Sequence, residues 1–126
     1  MPPVRVLVAD DSEVIRKAIR GFLKNEATVQ VCGESINFEQ TIELAASLKP
    51  DFILLDLHMP DGNDFEPAFV KSNLLSTSRV LAMSLPMKGE DMDILASGYG
   101  AAALLDKARL VDDLIPAIQR CMASRK

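Results

Sequence analysis

Five short apolar runs, separated by longer amphipathic segments, limit what this chain can fold into more than any other feature. They are Val4 to Ala9, Val29 to Cys32, Phe52 to Leu55, Arg79 to Met83 and Ala102 to Leu105. A strand with one wet face alternates apolar and polar residues. The runs beginning at Phe52 and Val80 are instead apolar at almost every position, which predicts strands covered on both faces by crossover helices, the pattern of a parallel sheet. The 126 residues, 48% of them hydrophobic, suffice for one continuous core, so residues 1–126 are expected to form a single domain.

The intervening segments carry helical periodicity. Val14, Ile15, Ala18, Ile19, Phe22 and Leu23 fall on one helical face, with Ser12 placed to cap the first turn. Asn37 followed by Gln40 has capping-box spacing, Ile42, Ala45 and Ala46 supply an apolar face, and Lys49-Pro50 ends the helix. A third helix is expected around Asp64 to Leu74 and a fourth around Gly89 to Ser97. The last should reach about Met122. Proline has no N–H and clashes with the carbonyl four residues back, so Pro116 is expected in the first turn of that helix, with Asp113 as N-cap. Together these elements predict an α/β fold of (βα)5 type, a doubly wound parallel sheet in flavodoxin-like order 2-1-3-4-5. Sheets of this kind bind ligands outside the carboxyl ends of their strands.

Charge and composition narrow the function. The net charge is -4 and the sequence pI about 4.9, so the chain has no basic field with which to hold a phosphate backbone, and direct nucleic-acid binding is not expected. No apolar run reaches the ~20 residues that span a bilayer, and Met1 to Arg5 lacks the regions of a signal peptide, which makes a cytoplasmic protein without membrane contact the expectation. Cys32 and Cys121 lack metal-ligand spacing and read as small buried hydrophobes. His58 is the sole histidine and has no partner with zinc-site spacing.

The chemistry-bearing residues share one edge. Asp10 and Asp11 follow the first strand, Asp56 closes the third, Ser84 closes the fourth and Lys107 follows the fifth. By itself, Asp-Asp-Ser after a strand also reads as a turn leading into a helix cap. A third acid, a hydroxyl and an amine at matching positions on three other strands favour a site. Three carboxylates in one crevice repel one another unless a cation neutralises them. Mg2+ fits, because it takes oxygen ligands octahedrally, keeps several waters and uses one or two carboxylates together with phosphate oxygens. Asp11 and Asp56 would bind it directly, the His58 backbone carbonyl would be a third ligand, and Asp10 would act through water. Asp56 could then attack phosphorus, with the Lys107 ammonium and the Ser84 hydroxyl completing a cradle for the phosphoryl oxygens.

The segments Val6-Leu7-Val8-Ala9-Asp10-Asp11-Ser12, Asp51 to Pro60 and Leu105-Asp106-Lys107 resemble the three hallmark segments of response-regulator receiver domains, and the resemblance covers nearly the whole chain. It implies phosphorylation at Asp56, Mg2+ at Asp10 and Asp11, and signal transmission through Ser84 and Lys107. It also implies a sensor histidine kinase or a phosphotransfer protein as partner, and catalysis limited to the chain's own phosphorylation and dephosphorylation. Val29 to Ser35 and the absence of proline after Lys107 are similar to receivers joined to a helix-turn-helix output, so a DNA-binding domain in a longer parent chain, and a homodimer, are expected partners of that kind.

Four positions depart from the family pattern. Leu104 stands where many receivers carry Tyr or Phe, and is the expected filler of any space that Ser84 vacates. Ala108 replaces a frequent proline, Asp64 a usual glycine with Gly62 nearby, and Leu85 a small residue. Leu85 would either narrow access to Asp56 or pack into a neighbouring helix. These departures motivate a rival reading, a degenerate receiver that binds a partner without phosphorylation. A second rival, a Mg2+-dependent phosphohydrolase with an aspartyl nucleophile, would need a substrate-covering cap, for which this chain has no insertion.

Overall fold

The structure is a computed structural model that describes residues 2–85 and 91–123. Its strands are β1 (Val4–Ala9), β2 (Val29–Ser35), β3 (Phe52–Asp56), β4 (Arg79–Ser84) and β5 (Ala101–Asp106), all parallel, in the expected order 2-1-3-4-5. The helices are α1 (Glu13–Leu23), α2 (Phe38–Leu48), α3 (Pro67–Leu75), α4 (Met92–Gly98) and α5 (Leu110–Ala123). The two-residue strand period divides the continuous apolar runs between two cores. Val6, Val8, Phe52, Leu54, Leu81 and Met83 pack with Ile19 and Leu23 of α1 and Leu114 and Ile118 of α5. Their neighbours Leu7, Ala9, Ile53, Leu55, Val80 and Ala82 pack with Phe38 of α2, Val70 and Leu74 of α3, and Ala96 of α4.

Register then fixes the row of site residues. Ala9 lies beside Leu55, Asp56 beside Met83, and Ser84 beside Asp106, so Asp10, Asp56, Ser84 and Lys107 all arrive at one edge. Ser12 caps α1 as expected, its Oγ accepting from the Ile15 N–H at 3.3 Å. Asn37 caps α2, accepting from the Gln40 N–H at 2.8 Å, while Gln40 Oε1 accepts from the Ile36 N–H one residue before the cap. Lys49 ends α2 in the left-handed region at φ 47°. The Arg5 guanidinium donates to the Leu48 carbonyl there, 2.6 Å away.

Several expected boundaries move, each for a physical reason. Helix α3 does not begin at Asp64. Pro67 holds its own φ and disfavours helical backbone at Glu66, so a short 3-10 turn at Gly62–Asp64 ends at extended Phe65, and α3 starts at Pro67. Helix α4 starts at Met92 under the Asp91 cap, and Gly89 lies outside the described residues. Val14 is 76% exposed and Ala18 and Ala46 are exposed, so the faces of α1 and α2 that reach the core are narrower than the periodicity suggests. Cys32 and Cys121 are partly buried, not fully so. Among the described residues no helix is long and apolar enough to cross a membrane.

The last helix is the largest departure. It starts at Leu110, directly after a 3-10 turn at Lys107–Arg109 whose Ala108 N–H is accepted by Asp106 Oδ1 at 2.8 Å, and Pro116 lies in its interior. Burial of Leu110, Leu114, Ala117 and Ile118 against the sheet and α1 outweighs the donor that Pro116 cannot supply to Asp112. Pro116 is itself exposed. Pro116→Ala should therefore restore a helical hydrogen bond without disturbing the core and raise unfolding free energy by about 1–3 kcal/mol. Urea denaturation of both proteins checks this; an unchanged or lower midpoint would mean that the proline is strain-free.

Candidate functional site

The turn after β1 is held so firmly that Asp10 has little freedom. Its N–H donates to the Ser35 carbonyl at 3.0 Å, its Oδ1 accepts from the Ser12 N–H at 2.8 Å, and its carbonyl accepts from Arg16 Nη1 at 2.6 Å. Arg16 is a buried guanidinium matched by two acids, Glu13 at 2.5 Å and Glu34 at 3.1 Å, and Arg20 reaches the same pair. Sequence reasoning missed Arg16. The available signal was its position on the buried side of α1 one turn past Ser12, which reads equally as an outward-reaching arginine.

Asp56 ends β3 almost fully buried, and its Oδ1 accepts from the His58 N–H at 3.0 Å. This bond sets the main chain of His58 beside the acid, while the His58 side chain is exposed. Lys107, the first residue after β5, closes the site. Its Nζ lies 2.7 Å from Asp10 Oδ2 and 3.2 Å from Asp56 Oδ1, bridging two carboxylates from two strands. The Asp10 contact is an ion pair by distance, although Oδ2 makes no hydrogen bond of good directional geometry. At 2.7 Å the charges govern it, and the oxygen keeps lone pairs for a further ligand. Asp11 stands exposed at the rim.

Asp10, Asp11 and Asp56 each offer one carboxylate oxygen within 4.8 Å of the others. Against these three acids stands Lys107, while Arg16 is matched by Glu13 and Glu34, so the cluster retains an excess of negative charge. All-oxygen donors, partial exposure and uncompensated negative charge suit a hard divalent cation. A cleft of about 380 Å³ opens alongside, lined by Asp11, His58, Met59, Asn63, Leu95 and Tyr99.

The structure thus brings together Asp10, Asp11, Asp56 and Lys107. Ser84 is buried at the same edge, but its hydroxyl faces α4, donating to the Leu85 carbonyl at 2.8 Å and lying 3.0 Å from Met92 Sδ. Leu85 is 55% exposed, so packing into a neighbouring helix does not hold it. Leu104 is partly buried and lines a cavity of about 270 Å³ with Ser84, Met92, Leu105 and Asp106. Asp61, also missed, accepts from the N–H groups of Phe38 and Glu39 at 2.8 and 3.1 Å and ties the loop after β3 to the first turn of α2. Burial, and after it the Asp61 carboxylate, push the Tyr99 hydroxyl pKa up.

Burial raises the Asp56 pKa above the ordinary carboxylate value; the His58 N–H and Lys107 pull it down and Asp10 adds to the rise, and the net shift is upward. Burial alone would lower the Lys107 pKa, but the Asp10 bond and the charges of Asp56 and Asp10 carry it above the ordinary lysine value. In metal-free buffer, folded Asp56 binds its proton more tightly than the unfolded chain does. Stability at this residue therefore falls as pH rises from the ordinary value through the raised one. Asp56→Asn cannot ionise, so at neutral pH it should melt above the original protein, and the gap should close on acidification. Thermal melts across pH without metal check the sign.

A family model described as the response regulator receiver domain matches residues 6–119. The nitrate/nitrite response regulator protein NarL of Escherichia coli K12 is 34% identical over 121 residues, covering 96% of this chain and 56% of that protein. A protein-glutamate methylesterase/protein-glutamine glutaminase of Pyrococcus horikoshii is 30% identical over 104 residues, 82% of this chain and 28% of that one. The chain therefore spans about half or less of the length of these relatives. Among solved structures, the signal receiver domain of a NarL response regulator from Mycobacterium tuberculosis superposes with a TM-score of 0.79 at 28% identity, covering 99% of this chain and all of that one. Strand order, the acid cluster at the carboxyl edge and these matches agree: this chain belongs to the receiver domains of two-component response regulators.

Proposed function

We propose that this chain is the phosphoacceptor switch of a two-component phosphorelay, taking a phosphoryl group on Asp56 from a phosphohistidine of a sensor kinase or phosphotransfer protein. The observation that carries this reading is the Lys107 ammonium placed between Asp10 and Asp56 at the end of the sheet. It leaves an acid cluster of net negative charge, fit for Mg2+, around a carboxylate that burial makes less content as an anion. Asp11, Asp56 and the His58 carbonyl would hold the metal, with Asp10 acting through water. When bound, the cation screens the acids and offsets negative charge on the phosphoryl oxygens.

The chain's own groups do the rest. Both close contacts of Asp56 fall on Oδ1, so Oδ2 is the nucleophile. Its lone pair forms the O–P bond as the N–P bond of the donor breaks, and that electron pair stays on the imidazole nitrogen, which leaves. Lys107 then trades part of its hold on Asp56 for a phosphoryl oxygen as a point charge. Exposed Val14 and Leu85, each within three residues of a site residue, offer apolar contact to a macromolecular donor. Catalysis is confined to the formation and hydrolysis of this acyl phosphate.

The response is carried to partners in the cytoplasm. Because Val29 to Ser35 and the absence of proline after Lys107 resemble receivers joined to a helix-turn-helix output, and this chain covers 56% of NarL, such an output in a longer parent is the one we favour, with dimerisation as its means. An acidic chain of net charge -4 would leave DNA contact to that output.

Intact mass after incubation with Mg2+ and acetyl phosphate should rise by one phosphoryl group, and Asp56→Asn or chelation of the metal should abolish the gain. Label mapped to another residue, or unchanged labelling of Asp56→Asn, would refute the assignment. Lys107→Ala should still bind Mg2+, followed by amide shifts, but should be labelled more slowly. Loss of metal binding in that variant would make Lys107 part of the metal site instead of the phosphoryl cradle.

A further inference from the structure

The Ser84 hydroxyl has one proton, and its surroundings show where it is spent. It donates to the Leu85 carbonyl oxygen at 2.8 Å, and its oxygen lies 3.0 Å from Met92 Sδ at the start of α4. Ser84 is the last residue of β4 and Met92 the first of α4, so this contact joins the end of a core strand to the first turn of a short helix. Next to it lies the cavity of about 270 Å³ lined by Ser84, Met92, Leu104, Leu105 and Asp106. A flexible side chain therefore sits between a polar tether and open space.

We propose that Met92, not Leu104, is the side chain that reads the position of Ser84 and passes it to α4. This rests on the phosphoacceptor reading of Asp56. A phosphoryl group there offers charged oxygens, and a hydrogen bond to an ionised acceptor is about twice as strong as a neutral one such as that to the Leu85 carbonyl, while a thioether is a weaker acceptor still. The hydroxyl leaves the Leu85 carbonyl, and with it the contact with sulfur, for the phosphoryl oxygen. Met92, unbranched and with three side-chain torsions, then turns into the cavity against Leu104 and Leu105. Leu104 has no polar atom to sense the change and is already packed against the core on the α2–α4 side of the sheet. Since Met92 opens α4, its rotation acts on a first turn that the Asp91 carboxylate caps through the N–H groups of Asp93 and Ile94 at 3.0 and 3.1 Å. Met92 is a positioning residue: it holds Ser84 in the resting state and does not touch the reacting atoms.

The test uses the full chain labelled with ¹³C at the methionine methyls, with Mg2+ and beryllofluoride as phosphoryl mimic, and Met92→Leu to assign the resonance. The Met92 methyl should move when beryllofluoride binds. In Ser84→Ala it should already be displaced in the free protein and should stay there on binding. Met92→Leu keeps the volume and leaves the Leu85 carbonyl as acceptor but removes the sulfur contact that adds to the resting state, so it should bind beryllofluoride about two-fold more tightly, less than the worth of a full hydrogen bond. If the His58 amide shifts on binding while the Met92 methyl does not, or Met92→Leu binds no more tightly, the role of Met92 is overturned and the phosphoacceptor reading stands. If beryllofluoride leaves the His58 amide unmoved in the original protein, the phosphoacceptor reading falls and the role of Met92 falls with it.

Discussion

Asp10 and Asp56 lie almost wholly out of water at the end of an apolar sheet, and the fold tolerates them because the Lys107 ammonium lies within 3.2 Å of both. A buried charge without a partner would neutralise itself or unfold its surroundings. One amine between two acids reduces that cost and still leaves the cluster negative. The residual charge makes the edge a candidate site, since it can be relieved by a divalent cation or by proton uptake at Asp56, whose pKa burial already raises. Asp56 ends β3, and Asp10 and Lys107 directly follow β1 and β5, so their meeting depends on the register of the whole sheet.

From this centre, separate contacts lead to different helices. Arg16 ties the Asp10 carbonyl to α1 and, through Glu34, to β2. Asp61 ties the loop after β3 to α2. Ser84 and Met92 tie the end of β4 to α4. These links differ in strength. Those of Arg16 and Asp61 are charge-assisted hydrogen bonds, suited to holding geometry constant. The hydroxyl–thioether contact is the weakest of them, and so the one most easily broken by a change of charge at this edge.

Two apolar cores on opposite faces make the sheet a stiff platform, and apolar side chains left outside it cluster in informative places. Val14 and Leu85 stand near the site residues in sequence, and Val111 is 70% exposed in the first turn of α5. A groove of about 180 Å³ between α1 and α5 is lined by Ile15, Ala18, Phe22, Ala108, Leu110 and Val111. Val14 and Ala18 thus continue the apolar stripe of α1 outward, which is why the periodicity of that helix overstated its buried face.

The sequence by itself determined the (βα)5 class, because strands apolar on both faces must be covered on both faces, and it determined which residue types stand at the carboxyl edge, because strand ends are legible from where the apolar runs stop. Caps at Ser12 and Asn37 were legible for the same local reason: a side chain satisfies an N–H within three residues. Tertiary structure alone decided the long-range pairings. Lys107 meets Asp10 across 97 positions, and Asp61 reaches Phe38 across 23, distances over which local pattern carries no information. It also decided that α5 runs through Pro116, since the burial that outweighs a lost hydrogen bond exists only once α5 lies on the sheet. The direction of the Ser84 hydroxyl was decided there too: Met92 becomes its neighbour only when α4 has packed, and a side chain's partner is set by what folds against it.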